Sequence, residues 1–508
     1  MNEFTTRLKN PLFNRIIQLL PEDETLFLVG GAIRDAFINR PNYDLDFVLP
    51  GSAMKLARRI ADELGAAYFP LDPQRNIARL ILEPDTRWAI NGNALRRIDF
   101  STFQGSDLAT DLQRRDFTMN AMAVDVRQPD RLIDPLGGTV DLARKQLRVC
   151  SPTSIIDDPV RILRAIRFCV EFDLKILPET LQLIRQSVHL LGGVSSERVR
   201  DELFRIFQQP NPSSSIRILD SLHAFDTIAP EILGLKNIQQ SPPHIMDGWE
   251  HTLDTLVRLD DILEVLASEF NPEKTGNLTM GAAAVYLGRY RQNLKNHFEK
   301  GLNPDRPERG ILFLAGLYHD TGKVKAQKKE ENGRIRFIEH EQLGGKLVEN
   351  RGKELKLSNH EIDRLLTIIK HHMRPGLLSH EPDLLTKKAV YRFFRDTGEA
   401  GVDICILSMA DILATYGPTL PQERWVKHLE VVRELLSSWW EYRTERIFPT
   451  PLLNGEDLME MLNLSPGPTL GYLLEQISEA QATGEIHNMD DAIQRAENLL
   501  KEKAVKKG

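Results

Sequence analysis

Cysteine is nearly absent from this chain. Its 508 residues include three, Cys150, Cys169 and Cys405, with no close-spaced pair among them. They fit buried thiols in a reducing cytoplasm better than a disulfide or zinc framework. Long apolar runs are lacking too: none approaches the roughly 20 residues that a membrane span needs. The opening stretch, MNEFTTRLKNPLFNRIIQLL, has neither the apolar region nor the small-residue cleavage site of a signal peptide. A cytoplasmic location and no membrane partner are therefore expected. Positive charge is also short, 65 Lys and Arg against 72 Asp and Glu, for a net charge of −7. A chain coated in nucleic acid is disfavoured, although a local basic face suffices for a nucleic-acid substrate. What remains is ordinary globular composition, 41% hydrophobic and 27% charged, over a length that implies about three or four domains.

The stretch LVGGAIRDAFINRPNYDLDFV, Leu28 to Val48, predicts strand, glycine turn, helix, loop and strand. Gly30 and Gly31 let the backbone turn with no Cβ in the way, so a phosphate can approach main-chain N–H groups. The helix that follows, with Arg34 and Asp35 on its first turn, adds the anion-favouring end of its dipole. Asp44 and Asp46 alternate with Leu45 and Phe47. That period puts both carboxylates on one strand face, about 7 Å apart. Carboxylates so placed suit Mg²⁺ shared with substrate phosphates, and hence metal-assisted nucleotidyl transfer. Asp99, in RRIDFSTF, is a third acid on an alternating strand.

Elsewhere in the first 150 residues, strands alternate with helices. Residues 1–25 read as a short amphipathic helix and loop, and Ser52 to Leu64 as an N-capped helix. Residues 67–69, 78–82 and 97–103 read as strands, and Pro84 to Asn93 as a polar, mobile loop. In DLQRRDFTMNAMAVD, Arg115 and Asp116 precede an expected apolar helix bearing Asn120. Arginine forks suit phosphate and ribose, and an Asp–Asn pair can bond a sugar hydroxyl. DPLGGTVD at 134–141 reads as a glycine turn. In DDPVRILRAIRF, Pro159 suits a first helical turn with Asp157 and Asp158 near its positive end. Arg161, Arg164 and Arg167 share a broad stripe of that helix. From Glu179 to about Ala229 the chain is amphipathic and helical, with Val199, Leu203, Ile206 and Phe207 on one face.

The ordered set G-G-x-x-R-D then D-x-D resembles the signature of the DNA polymerase β-like nucleotidyltransferases. The string RRDFTMNAMA is similar to a motif of the class II, bacterial-type CCA tRNA nucleotidyltransferases and poly(A) polymerases. The resemblance implies that Asp44, Asp46 and Asp99 are catalytic, with Mg²⁺ on Asp44 and Asp46. It implies nucleotide contacts from Gly30, Gly31, Arg34, Arg115, Asp116, Asn120, Arg164 and Arg167, and base selection by Asp158 and Arg161. DPLGGTVD would be a hinge-like connection. Asp157 stands where many relatives have Glu.

Residues 244–420 read as all-helical and carry His251, His319-Asp320, His340, His371-His372 and Asp411. Imidazole and carboxylate are ligands for first-row metals. The order H…HD…H…HH…D resembles the HD phosphohydrolase signature. That implies a divalent metal (Mg, Mn, Ni, Co or Fe) on His251, His319, Asp320 and Asp411. His340 with one or both of His371 and His372 would serve a second, and Lys323 would contact phosphate. The tail, with Gly467 between two prolines, resembles the tRNA-contacting end of the same family. The basic terminus KEKAVKKG reads as disordered.

The implied fold class is multidomain α+β. A nucleotidyltransferase head with a mixed sheet and helices occupies 1–150, an all-α neck 151–230, an HD domain 231–430 and a helical tail 431–508. The implied function is addition of CCA from CTP and ATP to the 3′ end of tRNA. A CC-adding or A-adding half-enzyme remains an alternative. So does a poly(A) polymerase, against which LDPQRNIARLIL argues, and so does an HD phosphohydrolase with a nucleotide-sensing head.

Overall fold

The computed structural model describes residues 11–42, 44–82, 97–270, 277–303, 306–380 and 385–505. The expected loop at 84–93 lies outside them. The chain forms two compact units, Met1–Ser195 with Ser221–Ala224, and Ser196–Asp220 with Phe225–Gly508.

The first unit is built on one sheet. Its strands are β1 (Phe27–Val29), β2 (Asp44–Leu49), β3 (Ala67–Asp72), β4 (Ile77–Ile81), β5 (Arg97–Thr102), β6 (Ala123–Asp125) and β7 (Leu132–Ile133). They run in the order β3-β4-β5-β2-β1-β6-β7, with β2 and β5 parallel and the other neighbours antiparallel. Leu45 and Phe47 of β2 and Ile98 and Phe100 of β5 are buried together. The Phe47 and Phe100 rings stack at 5.3 Å. Helices Pro11–Leu19 and Ala53–Leu64 contribute Phe13, Ile16, Leu56 and Ile60 to the same core. Strand alternation then sends Asp44, Asp46 and Asp99 to the opposite face, and the register sets Asp46 beside Asp99. A slip of one residue would bury the carboxylates and expose the phenylalanines, so the apolar core fixes the acids.

The stretch after Asp116 is not the expected apolar helix. It forms a single 3₁₀ turn, Thr118–Asn120, and then β6, which pairs with β1 in the sheet interior. An unpaired edge of β1 outweighs local helical composition there. The glycine turn at 137–138 is present: Gly137 has φ +73°, and Gly138 lies against Thr118, whose carbonyl oxygen is 2.1 Å from where a Cβ would stand. Asp134 accepts from the Gly138 and Thr139 amides at 2.7 and 2.9 Å.

The second unit is largely helical. Helices Gly248–Val265, Glu308–Tyr318, Asn359–His371 and Ala400–Tyr416 pack on one another. Two short hairpins, Gly301–Asn303 with Arg306–Pro307 and Gln327–Lys329 with Ile335–Phe337, interrupt the helices, so 244–420 is not all-helical. Ala400–Thr419 is long and apolar enough to cross a membrane, contrary to the reading of the sequence, but it is mostly buried within this unit. A helix apolar on every side is the central helix of a bundle. The final helices, Gly455–Leu462, Pro468–Thr483 and Met489–Val505, share their own core around Leu458, Leu473 and Ile477. Residues 501–505 of the basic end are helical rather than disordered, and residues 506–508 lie outside the described ones.

Gly138→Ala forces the Thr118 backbone to move. Its thermal unfolding midpoint is expected to fall by an amount equivalent to about 1–3 kcal/mol. Gly193→Ala, where nothing lies within 4 Å of the added methyl, is expected to leave the midpoint in place. Differential scanning calorimetry of both variants checks this.

Candidate active site and candidate metal centre

In the first unit, β1 ends at Gly30, which has φ +76°. A Cβ there would stand 3.3 Å from Arg115 Nη1 and 3.6 Å from Asp46 Oδ2. Glycine therefore leaves a cradle beside the carboxylates that any other residue would fill. Burial first, and then the charge of Asp99, push the Asp46 carboxyl up to about 6, with Arg115 opposing and Asp44 adding to the rise. A cluster of acids that resists ionisation in this way is a place for a cation. Asp44 is bonded by Arg97. Both Asp99 oxygens accept from Arg79 at 2.8 Å. Asp99 thus acts on Asp46 through its charge while its own lone pairs are engaged by a guanidinium.

A continuous hydrogen-bonded path leads away from this strand. The Asp44 amide donates to Asn42 Oδ1 at 2.8 Å, and the Asn42 amide donates to Asp35 at 2.7 Å. Arg34 donates to Asp35 at 2.9 Å and to Asn120 at 2.7 Å. Asn120 donates to Asp116 at 3.0 Å, and Arg164 donates to the other Asp116 oxygen at 2.9 and 2.6 Å. Arg34, Asp35, Asp116 and Asn120 are all buried. Burial alone would raise the Asp116 carboxyl, but Arg164, the Asn120 side chain and the Phe117 amide hold it down at about 2. The Arg34 guanidinium also lies over Phe172, 4.5 Å from the ring centre.

The other two expected arginines are placed differently. Arg161 donates to the carbonyls of Arg114, Arg115 and Ser154 at 2.8–3.2 Å, with its Nε 3.7 Å from Asp158. Arg167 is buried against Phe168 and donates to Glu171. These donors are engaged by the protein rather than presented to a base or phosphate. The reason is the local packing of helix Arg161–Phe172, which the spacing of charges did not reveal. Asn42, Arg79, Arg97 and Asp111, which holds Arg115 at 3.2 Å, were not singled out in the sequence. The partners of Arg79 and Arg97 lie on neighbouring strands, whereas Asn42, two residues before Asp44, and Asp111, four before Arg115, gave local signals.

The second unit gathers His251, His319, Asp320, His340, His372 and Asp411. Asp320 belongs to two potential metal-binding groups, one with His251 and His319 and one with His340 and His372. Its Oδ2 lies 3.4 Å from His251 Nε2 and 3.3 Å from His319 Nε2. Its Oδ1 lies 3.4 Å from His340 Nε2 and 4.0 Å from His372 Nε2. Asp411 is 3.1 Å from His251 Nε2. The Nδ1 atoms of His319, His340 and His372 sit 2.8, 2.9 and 2.7 Å from the carbonyls of Gly316, Phe337 and Ile369. An N–H on each Nδ1 leaves the Nε2 lone pairs facing the centre, which is how a metal-binding imidazole is oriented. His251 Nε2, His319 Nε2 and Asp320 Oδ2 are buried without a hydrogen-bond partner. Such orphaned acceptors fit a divalent cation.

His371 does not join the cluster. Adjacent helical residues diverge by about 100°, and it is His372 that turns inward. His371 is half-buried, and burial first, then the charge of Arg374, lower its pKa. Lys323 lies 2.6 Å from Asp320. His244, which sequence reasoning missed, packs edge-on to His251 at 5.3 Å. It falls outside any motif, on a loop, so no periodicity marked it.

Sequence comparison agrees with this geometry. The family model for the Poly A polymerase head domain matches residues 26–148, and the HD domain model matches 278–416. Between and beyond them, a polymerase A RNA and SrmB binding-site model matches 173–235 and a tRNA nucleotidyltransferase domain 2 model matches 449–496. The chain is 30% identical to an A-adding tRNA nucleotidyltransferase of Deinococcus radiodurans, over 95% of this chain and 97% of the relative. It is 28% identical to a CC-adding tRNA nucleotidyltransferase of Geobacter sulfurreducens, over 92% and 90%. Among solved structures, a CCA-adding enzyme in complex with CTP superposes with a TM-score of 0.59 at 20% identity, covering 98% of each chain. The Thermotoga maritima CCA-adding enzyme complexed with tRNA gives 0.55 at 21% identity, again with 98% coverage of each. Those two likenesses concern the fold. By its sequence relatives, the chain belongs to the family of tRNA nucleotidyltransferases that join a poly(A) polymerase-type head to an HD domain.

Proposed function

We propose that this chain builds the CCA end of tRNA without a nucleic-acid template, using CTP and ATP in the cytoplasm. The observation that carries this reading is the cradle at Gly30, open beside Asp46 and Arg115. The residues fit Mg²⁺ held by Asp44 and Asp46. When bound there, Mg²⁺ would acidify the attacking hydroxyl and neutralise charge on the triphosphate. The chain's own residues supply the rest. The glycine turn and Arg115 receive the phosphates, and Asn120 and Asp116 face the ribose. The RNA 3′ oxygen bonds to the α-phosphorus as the bond to pyrophosphate breaks, and its proton leaves to solvent. Asp158 accepts from the exocyclic amine that cytosine and adenine share. Arg161 anchors Asp158's loop through its backbone contacts and must leave them to donate to a base itself.

One observation favours a narrower reading. Four relatives that match more than 90% of this chain are named A-adding or CC-adding enzymes, whereas a multifunctional CCA protein of Stenotrophomonas maltophilia matches 67%. Extension of tRNA transcripts ending before CCA, after C and after CC separates the two. Completion of all three to CCA, lost in Asp44→Ala, supports the full activity. Arrest at CC, or A added only to the CC end, identifies a half-enzyme, and long A tails identify a poly(A) polymerase.

The second unit we read as a metal-dependent phosphohydrolase acting on terminal or cyclic phosphates of RNA. His251, His319, Asp320 and Asp411 would hold one divalent ion, and His340 and His372 with Asp320 a second, supplying an activated water and a Lewis acid for phosphoryl oxygen. Lys323, which pairs with Asp320 and donates to Gln240 at 2.7 Å, must leave a partner to reach a phosphate oxygen. Addition of Mn²⁺ or Ni²⁺ to metal-stripped protein is expected to raise the unfolding temperature by mass action, and Asp320→Ala is expected to abolish the rise. Equal rises in both proteins would contradict a specific centre.

The raised Asp46 carboxyl carries a signed pH prediction. Its folded value is about 6 against 3.8 when unperturbed, so the folded state holds the proton more tightly. The resulting destabilisation is full above pH about 6 and gone below about 4. In metal-free protein, Asp46→Asn is expected to gain about 1–3 kcal/mol of stability at pH 7.5 and nothing at pH 4. Chemical denaturation at the two pH values measures it.

A further inference from the structure

The metal cluster occupies one part of a larger cavity. The cavity has a volume of about 660 Å³ and is lined by Asp320, His340, His372 and Asp411 at the cluster and by Tyr416 and Arg424 farther along. That size is typical of small-ligand sites, roughly 300–1,000 Å³. Helix Ala400–Tyr416 runs along its wall and presents Ser408, Asp411, Ile412, Thr415 and Tyr416 on one face. At 1.5 Å per residue, Tyr416 lies about 7.5 Å down the axis from Asp411.

Arg424 is set at that far end. Its guanidinium lies over the Tyr416 ring, 5.1 Å from the centre. It donates to His380 Nε2, and His380 Nδ1 lies 2.6 Å from the Gly376 carbonyl. The partner of the guanidinium is thus an imidazole seated on a backbone carbonyl, not an acid. Arg424 Nε is buried and has no hydrogen-bond partner among the described residues. The carboxylates lining the cavity, among the described residues, are Asp320 and Asp411, and both face the cluster. A guanidinium oriented by a ring stack and a histidine, with no carboxylate paired to it among the described residues, is built to receive an anion.

We propose that Arg424 and His380 form a second phosphate subsite in the same cavity as the metal cluster. The ligand it implies is a nucleotide bearing phosphate on both sides of its ribose. The terminal 3′ or cyclic phosphate sits at the cluster, the other phosphate bonds Arg424 about one nucleotide away, and the apolar wall of Ile412 and Tyr416 covers the sugar and base. An RNA end and a free nucleoside 3′,5′-bisphosphate share this chemistry. The choice of substrate rests on the phosphohydrolase reading, but the subsite itself is a binding property.

The test separates binding from turnover. Binding of adenosine 3′,5′-bisphosphate and adenosine 3′-monophosphate is measured by calorimetry on the full chain carrying Asp320→Ala, with and without Arg424→Gln. The bisphosphate is expected to bind at least ~10-fold more tightly, the scale of one charge-assisted hydrogen bond, and Arg424→Gln is expected to remove that preference. Arg424→Lys, which keeps the charge and loses the fork, is expected to restore part of it. No preference, or a preference that survives Arg424→Gln, overturns the subsite. A thermal unfolding transition of the second unit unchanged by each Arg424 substitution shows that this unit has folded. If the preference holds while the unsubstituted chain hydrolyses neither ligand, the subsite stands and the hydrolase reading falls. If both are hydrolysed with equal KM, the reverse is true. A 3′-phosphorylated oligonucleotide competing as well as the bisphosphate supports the subsite with an RNA end as its ligand. Failure to compete supports it with the free nucleotide.

Discussion

The first unit depends on one polar path whose middle members, Asp35, Arg34, Asn120 and Asp116, are buried. It starts at the amide of Asp44 and passes through Asn42, Asp35, Arg34, Asn120 and Asp116 to Arg164. In a water-poor interior an unpaired polar group is costly and a paired network is stiff. Each member therefore has its orientation dictated by the next. The path joins three parts of the chain that are far apart in sequence: the glycine turn and its helix, the RRDFT segment, and helix Arg161–Phe172. The apolar side of the sheet sets which way the carboxylates face. The polar path sets where the nucleotide-facing groups stand relative to them.

The second unit reaches a fixed arrangement by other means. Its histidines sit at or near helix ends, where Nδ1 can meet a carbonyl three residues back. That tie leaves one nitrogen of each ring for the centre. The acids there are few and shared: Asp320 turns one oxygen toward each group of histidines. The head, in contrast, surrounds its acids with arginines on neighbouring strands. One centre is poised by imidazoles tied to backbone carbonyls, the other by carboxylates whose charges are crowded.

Much of this was legible in the chain. Alternation alone placed Asp44 and Asp46 opposite Leu45 and Phe47, and the histidine order marked the cluster. What was not legible depended on distant partners. β6 was read as helix because its strand character comes from pairing with β1. His371 and His372 could not be told apart until the helix was oriented. Arg161 and Arg167 were expected to contact the nucleotide, yet their donors are taken by carbonyls and by Glu171. His244 and Arg424 belong to no motif and became visible only as walls of a cavity. The short strands at 327–337 interrupt a region whose composition reads as helix.

The most direct test of this account is a double-mutant cycle across the polar path, Asn42→Ser and Asp116→Asn, read as kcat/KM for CTP incorporation into tRNA. Serine keeps an acceptor for the Asp44 amide but cannot reach on to Asp35. If the path acts as one body, the double variant loses much less than the sum of the single losses, a coupling of about 0.5–3 kcal/mol. Additive losses would contradict the account and leave the two ends of the path as independent contacts.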